Sequence, residues 1–97
     1  MPQINTRLPL KDLKDKVIKN PDDSDFVVGE ALANILLGSE GGENKLKLFL
    51  LAQKLYKEKE VGLDTADFEL VKKVVESSKV YNLLVLGQVI ELLTNLK

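Results

Sequence analysis

Few residue types in this chain can do chemistry. His and Cys are both absent, which removes the commonest general base, the commonest metal ligand, thiolate metal sites and a Cys nucleophile. Carboxylates, lysines, hydroxyls and two tyrosines remain. The densest acidic group is Asp22, Asp23 and Asp25. A helix–loop–helix calcium loop needs oxygen ligands at alternate positions, a Gly at the sixth and an acid at the twelfth. Counted from Asn20, those positions hold Asp25 and Ala31, so the triplet reads as an acidic turn before a helix. The glycines of residues 38–42 raise a phosphate cradle. Such a loop follows a strand and ends in Lys-Ser or Lys-Thr; this one has neither and reads as a flexible inter-helix loop. No pair of carboxylates stands out for acid–base work. No catalytic, cofactor-binding or metal-binding residue is therefore assigned, no cofactor is expected, and no enzyme is expected.

Binding chemistry is the next possibility. Two helical stretches over 44–75 are joined through Val61-Gly62-Leu63, which poses the helix-turn-helix question. A recognition helix turns its N-terminal residues toward bases and phosphates. Here that end carries Asp64, Asp67 and Glu69, with Lys72 and Lys73 only later. The net charge of −1 adds no global attraction to nucleic acid or anionic lipid. A nucleic-acid-associated transcriptional regulator using the pair 44–75 is the alternative function, and nucleic acid is not an expected partner. Lys45, Lys47, Lys54, Lys57 and Lys59, partly offset by Glu43, Glu58 and Glu60, read as a solvated helix face. Tyr56 and Tyr81 read as packing at the core edge, with interface anchors as the second reading.

The elements that must position these residues follow from periodicity. A length of 97 residues with 44% apolar composition suits a single domain with its own core, spanning 1–97. Residues 1–24 form an extended, β-like segment and 25–97 a helical bundle. Ile4, Thr6, Leu8 and Leu10 alternate with Asn5, Arg7 and Pro9, the period of a half-buried strand. Lys16 to Lys19 is a second short β-like run, so a loose hairpin is expected. Asn20 to Asp25 is a turn cluster. A first helix from Phe26 or Val28 to Leu37 buries Val28, Ala31, Leu32, Ile35 and Leu36. A second, from about Asn44 to Lys59, buries Leu48, Leu51, Ala52, Leu55 and Tyr56. A third is capped by Asp64 or Thr65, with Leu63 and Phe68 placed as a hydrophobic staple if Asp64 is the cap.

The last helix carries the widest apolar surface. Leu83, Leu86, Ile90 and Leu93 make one stripe, and Val85, Val89, Leu92 and Leu96 a second beside it. Together they cover about half the circumference, more than a usual surface helix. This helix is expected at the centre of the bundle, wrapped by the rest of the chain or shared with a second copy. Gly87, in its middle, is expected to mark the close approach of another backbone. The stretch is too short and interrupted to span a bilayer. With no secretion signal and no Cys, a cytoplasmic protein without membrane attachment is expected.

The order of elements resembles that of small uncharacterised proteins of tailed phages and prophages. The resemblance runs over about residues 4–93. It is carried by Gly29 to Gly38, the Lys-rich stretch Lys47 to Tyr56, the acid-started Leu63 to Phe68 and the ending Leu86 to Leu93. Val27 departs from the pattern, in which Ser or Thr often caps the first helix. The resemblance implies a phage or prophage origin and no activity. The reading as a whole is a mainly α, compact four-helix domain with a short N-terminal β-like hairpin segment. It is expected to act by protein–protein interaction, in an assembly, chaperone-like or host-modulating role, on a protein partner or on itself as a homo-oligomer through the C-terminal helix.

Overall fold

The computed structural model describes residues 3–39 and 42–96. Its elements are β1 (Gln3–Asn5), α1 (Val28–Leu37), α2 (Lys45–Lys57), β2 (Glu60–Gly62), α3 (Thr65–Ser77) and α4 (Leu83–Asn95), with a 3-10 turn, Gly42–Asn44, leading into α2. The mainly α, four-helix architecture with an N-terminal β-like hairpin segment is the one the periodicities predict; the hairpin itself is confined to the pairing around Lys11 and Val17, and the start of the expected strand, β1, pairs with β2 instead.

The extended segment is built almost wholly from isolated pairings. The turn at 12–16 is closed by the Asp12 N–H donating to the Lys16 carbonyl (2.9 Å), and Lys11 pairs antiparallel with Val17. Further along, Leu10, Ile18 and Phe26 form a closed ring of three backbone bonds. Leu10 donates to Phe26 (2.9 Å), Phe26 to Ile18 (2.8 Å) and Ile18 to Leu10 (2.8 Å). Three short extended pieces thus satisfy one another without a regular sheet, as buried backbone groups require. Leu10 and Phe26 drop their side chains into the core, and Ile18 packs against it.

β1 finds its partner far along the chain. It runs antiparallel to β2, with Ile4 opposite Val61. Both of these residues are buried while their neighbours in the strands are exposed, the alternation of a two-stranded ribbon with one face on the core. The chain then reaches α1, whose cap, Val27, offers no side-chain acceptor. The backbone of the extended segment replaces it. The Val28 N–H donates to the Leu8 carbonyl (2.8 Å) and the Gly29 N–H to the Thr6 carbonyl (2.9 Å). These bonds satisfy donors that a helix start leaves free.

The centre of the bundle is α1, not α4. Seven of its ten residues are buried, and it packs against α2, α3 and α4, whereas α4 touches chiefly α3 and α1. The physical reason is side-chain size. Gly29, Ala31 and Ala33 let neighbours close on several sides of α1, while α4 keeps Gly87, Glu91, Thr94 and Asn95 in solvent. Within α4, Val85, Leu86, Val89 and Leu93 are buried, and Ile90, Leu92 and Leu96 pack partly against the core. Leu83 is left outside, at 86% exposure.

The two glycines exchange roles as well. A Cβ built on Gly87 meets nothing within 4 Å, so no backbone approaches it. A Cβ on Gly29 would lie 2.3 Å from the Leu55 carbonyl oxygen and 2.6 Å from the Thr6 Cβ. The close approach of backbones is at α1 against the end of α2.

α3 starts as its sequence predicts. The Asp64 side chain accepts from the Asp67 N–H at 2.7 Å, and Leu63 and Phe68 are both buried as the staple requires. Asn82 caps α4 in the same way, accepting from the Val85 N–H.

Candidate interaction face

α2 holds more apolar residues than one face can bury. Leu46, Leu48, Phe49, Leu50, Leu51, Ala52, Leu55 and Tyr56 make eight of its thirteen residues, and only Leu48, Leu51, Ala52 and Leu55 are buried. The other four stand outside: Leu46 is 70% exposed, Phe49 and Leu50 47% each, and Tyr56 59%. Tyr56, assigned to the buried face by periodicity, is therefore on the surface. It sits one residue, about 100° of helix, beyond the Leu55 stripe. Leu37, at the C-terminal end of α1, adds a further exposed apolar side chain at 58%.

Of these, Leu37, Phe49 and Tyr56 line a cleft of about 260 Å³ between α1 and α2. Ala33 and Ala52, both essentially buried, form its floor because their short side chains leave room. Leu37, Phe49 and Tyr56 wall it, and Asn34, Gln53 and Lys57 supply its polar edge. A second recess of about 340 Å³ shares Gln53 and Lys57 with it and continues over Leu50, Lys54 and Glu58. The charged residues of α2 itself are all lysine: Lys45, Lys47, Lys54 and Lys57. The Arg7 guanidinium donates to the Lys57 carbonyl at 3.4 Å, setting another cation at the end of the same helix. The face is concave, apolar at the bottom and mostly cationic around it.

A larger cavity, of about 530 Å³, lies where the end of α1, the start of α2, α3 and residues 77–80 meet. Ile35, Leu48, Leu70 and Val74 form its apolar part, and Lys73 and Lys79 stand beside it. Its hydroxyls are engaged locally. Ser39 donates to the Leu36 carbonyl (2.7 Å), Ser77 lies within reach of the Lys73 and Val74 carbonyls (3.2 and 3.3 Å), and Ser78 accepts from the Val80 N–H (3.1 Å).

The acidic triplet is a turn. Asp22 accepts from the Ser24 hydroxyl (2.6 Å) and N–H (3.1 Å), and these bonds, the hydroxyl first, hold its carboxyl below the usual carboxylate range. Asp25 pairs with Lys19 at 2.5 Å, which raises the lysine through hydrogen bonding and then charge. Asp23 takes a left-handed conformation, φ 70°, inside the turn, where Asp is tolerated. Among the described residues no group of His, Cys, Asp or Glu is arranged to hold a metal ion. Glu40 and Gly41, within the glycine loop, lie outside the described residues.

The pair 44–75 is not joined by a tight turn. β2, paired to β1, stands between α2 and α3. Two of the three acids at the start of α3 are bound within the fold, while Glu69 is exposed: Asp64 caps the helix, and Asp67 pairs with Lys47 of α2 at 2.6 Å. That hydrogen-bonded carboxylate raises the Lys47 ammonium above its ordinary range. The two tyrosines separate in role. Tyr81 is half-buried, stacks at a tilt on Phe26 with ring centroids 5.5 Å apart, and its hydroxyl accepts from the Asn34 amide at 2.7 Å. Tyr56 projects from the exposed side of α2 into the wall of the cleft.

Two structural side chains escape sequence reasoning. Thr6 is buried at 1% exposure. Its hydroxyl reaches the Glu58 carbonyl and the Lys59 carbonyl (2.9 Å), while its own N–H donates to Lys59 (2.9 Å). It thereby fastens the N-terminal segment to the end of α2. Gln88, on the polar side of α4 by periodicity, behaves like a strand residue toward Lys11. Its amide oxygen accepts from the Lys11 N–H (2.9 Å) and its amide nitrogen donates to the Lys11 carbonyl (2.6 Å). Neither role has a local sequence signal. The exposed stripe on α2 did have one, in the excess of apolar residues over what a single face can hold.

Comparison with protein families, with curated proteins and with solved structures finds no match. Among the described residues no helix is long and apolar enough to cross a membrane.

Proposed function

We propose that this chain is a protein-binding module, without catalysis of its own, in an assembly, chaperone-like or host-modulating role of the phage or prophage kind its sequence resembles. The observation that carries this reading is the cleft between α1 and α2. It gathers Leu37, Phe49 and Tyr56, all about half exposed or more, around an alanine floor. Isolated exposed apolar side chains need no explanation, but a contiguous, walled apolar patch on a small domain marks an interaction site. Aromatic residues on such a patch are the usual anchors of binding. The apolar stripes of α4, which first pointed to self-association, are largely engaged within the chain, so the interacting surface in this reading moves to α2.

The test is site-directed photo-crosslinking in the cells that make the protein. A photoreactive residue replacing Phe49 or Tyr56 is expected to trap a discrete protein adduct. The same residue replacing Glu76, on the exposed side of α3, is expected to trap none. Equal or absent adducts at all three positions would overturn the proposal.

A further inference from the structure

We infer that the partner of the α1–α2 cleft is an acidic amphipathic helix, which seats an apolar side chain on Ala33 and Ala52 and lays its carboxylates along the lysines of α2. This rests on the reading of the cleft as a protein-binding face and adds the chemistry of what binds. A groove between two helices with an apolar floor is the form that receives a helix, read through anchors at i, i+3 or i+4, and i+7. The cleft and the adjoining recess lie side by side on α2, on either side of Gln53 and Lys57, which line both.

Charge selects the sign of the partner. The four charged residues of α2 are all lysines, and among the described residues only Lys47 is paired with a carboxylate, that of Asp67. Lys45, Lys54 and Lys57 are exposed and flank the apolar stripe. Glu58, at the edge of the recess, offsets this at one end, and Arg7 at the same end restores it. Complementary carboxylates would speed encounter and fix orientation.

A second copy of the chain fits the face poorly. A two-fold dimer through this face presents the same patch from both sides, so the lysines of one α2 would be brought toward those of the other and not toward carboxylates. No other described helix offers the complement. The exposed side of α3 alternates Glu69, Lys73 and Glu76, and that of α4 carries Leu83 with a single acid, Glu91. An anionic lipid surface would satisfy the lysines, but surface-bound helices present a convex apolar face to the bilayer. Here the apolar floor lies at the bottom of a cleft.

The experiment uses the full chain, labelled with ¹⁵N, and designed peptides about four helical turns long. One peptide has Leu at the anchor positions and Glu flanking them. A second replaces every Glu by Lys. A third scrambles the first. Vesicles of phosphatidylglycerol and phosphatidylcholine serve as the lipid probe. The Glu peptide is expected to shift the amides of Ala33, Leu37, Phe49 and Tyr56 saturably and to bind about tenfold or more tightly than the Lys or scrambled peptide. The surface variant Lys54→Glu/Lys57→Glu is expected to reverse that preference, with Tyr56→Ser weakening both peptides by about tenfold.

Tighter binding of the Lys peptide, or equal binding of all three, overturns the acidic partner while leaving a protein-binding cleft. Preferential shifts with the vesicles assign the face to lipid and overturn it too. A concentration-dependent dimer that shifts the same amides without peptide assigns the face to a second copy. No shift in the cleft with any probe overturns both the inference and the reading beneath it. Folding of each variant is checked by its amide spectrum, and the substituted side chains are all exposed.

Discussion

Replacing Gly87 with Ala should stabilise the protein, and replacing Gly29 with Ala should do the opposite. Both glycines lie inside helices, at the sixth position from Asn82 on α4 and the third from Val27 on α1 by inclusive count. Helix propensity alone therefore favours Ala at each, by up to ~1 kcal/mol. At Gly87 nothing subtracts from that gain, since the added Cβ has no neighbour within 4 Å and the position is exposed. The expected change is a stabilisation of about 0.5–1 kcal/mol, a rise in melting temperature of a few degrees, on the order of 4–8 °C per kcal/mol for a domain this small. At Gly29 the added Cβ falls 2.3 Å from the Leu55 carbonyl oxygen and 2.6 Å from the Thr6 Cβ. One contact is backbone and the other is the root of a buried side chain, so neither yields by rotating a flexible end. Separating α1 from the end of α2 also stretches the Gly29–Thr6 backbone bond. Overpacking costs of about 1–3 kcal/mol outweigh the propensity gain and leave a net loss. Urea unfolding followed by far-ultraviolet circular dichroism, with light scattering at the same concentrations, measures both. A destabilised Gly87→Ala variant would refute the exposed placement of α4's outer side. If that loss disappeared on dilution, the outer side of α4 would be an interface between copies.

Thr6→Val keeps the shape and removes the hydroxyl donor from the Glu58 and Lys59 carbonyls; a loss of about 1–2 kcal/mol is expected, largely restored in Thr6→Ser, and an unchanged urea midpoint would show that the hydroxyl does not hold the segment. Leu86→Ala, at a position only 8% exposed, should cost about 2–4 kcal/mol; a loss under about 1 kcal/mol would mean that α4 is not packed on its neighbours. The Lys47–Asp67 pair makes an alkaline prediction. Because the pair raises the folded lysine's pKa, its contribution is fully present below the unfolded lysine value, about 10.4. It is lost as pH rises through the higher folded value. The stability gap between the native chain and Lys47→Gln should therefore be constant near neutrality and shrink above about pH 10.4; a gap that persists there would remove the pair as its cause.

The legible parts of this fold are those that local spacing determines. The start of α3 could be read because Leu63, Asp64, Asp67 and Phe68 satisfy a helix start among themselves, within a few residues. The span of α1 could be read from its apolar period, although Val27 offers no cap, because the stripe and Gly38 bound it. The cap itself could not be read. It comes from the carbonyls of Thr6 and Leu8, some twenty residues earlier by the order of the chain, and no local pattern records a tertiary donor–acceptor pair. The same holds for β1, whose partner lies beyond two helices, and for Gln88, whose amide stands in for a strand. The position of the central helix is illegible for a different reason. Periodicity counts apolar area, which is greatest on α4, whereas the centre belongs to the helix that neighbours can approach most closely. Gly29, Ala31 and Ala33 confer that on α1 by being small.

α2 shows how the candidate face and the fold share one sequence. Folding needs only Leu48, Leu51, Ala52 and Leu55, and these alone satisfy the 3.6-residue period of a surface helix. Leu46, Phe49, Leu50 and Tyr56 remain 47–70% exposed and leave the surface open to nonspecific association. Polar residues at those positions would give a more soluble domain with the same core. The lysines between them are what makes their exposure tolerable, because they are of a single sign. When two such faces meet, like charges oppose the contact, while a partner bearing carboxylates is admitted. Discrimination against the wrong partner and attraction to the right one are then the same electrostatic term with opposite sign. On the proposed reading, the binding helix is for that reason the one whose apolar residues exceed the needs of its core.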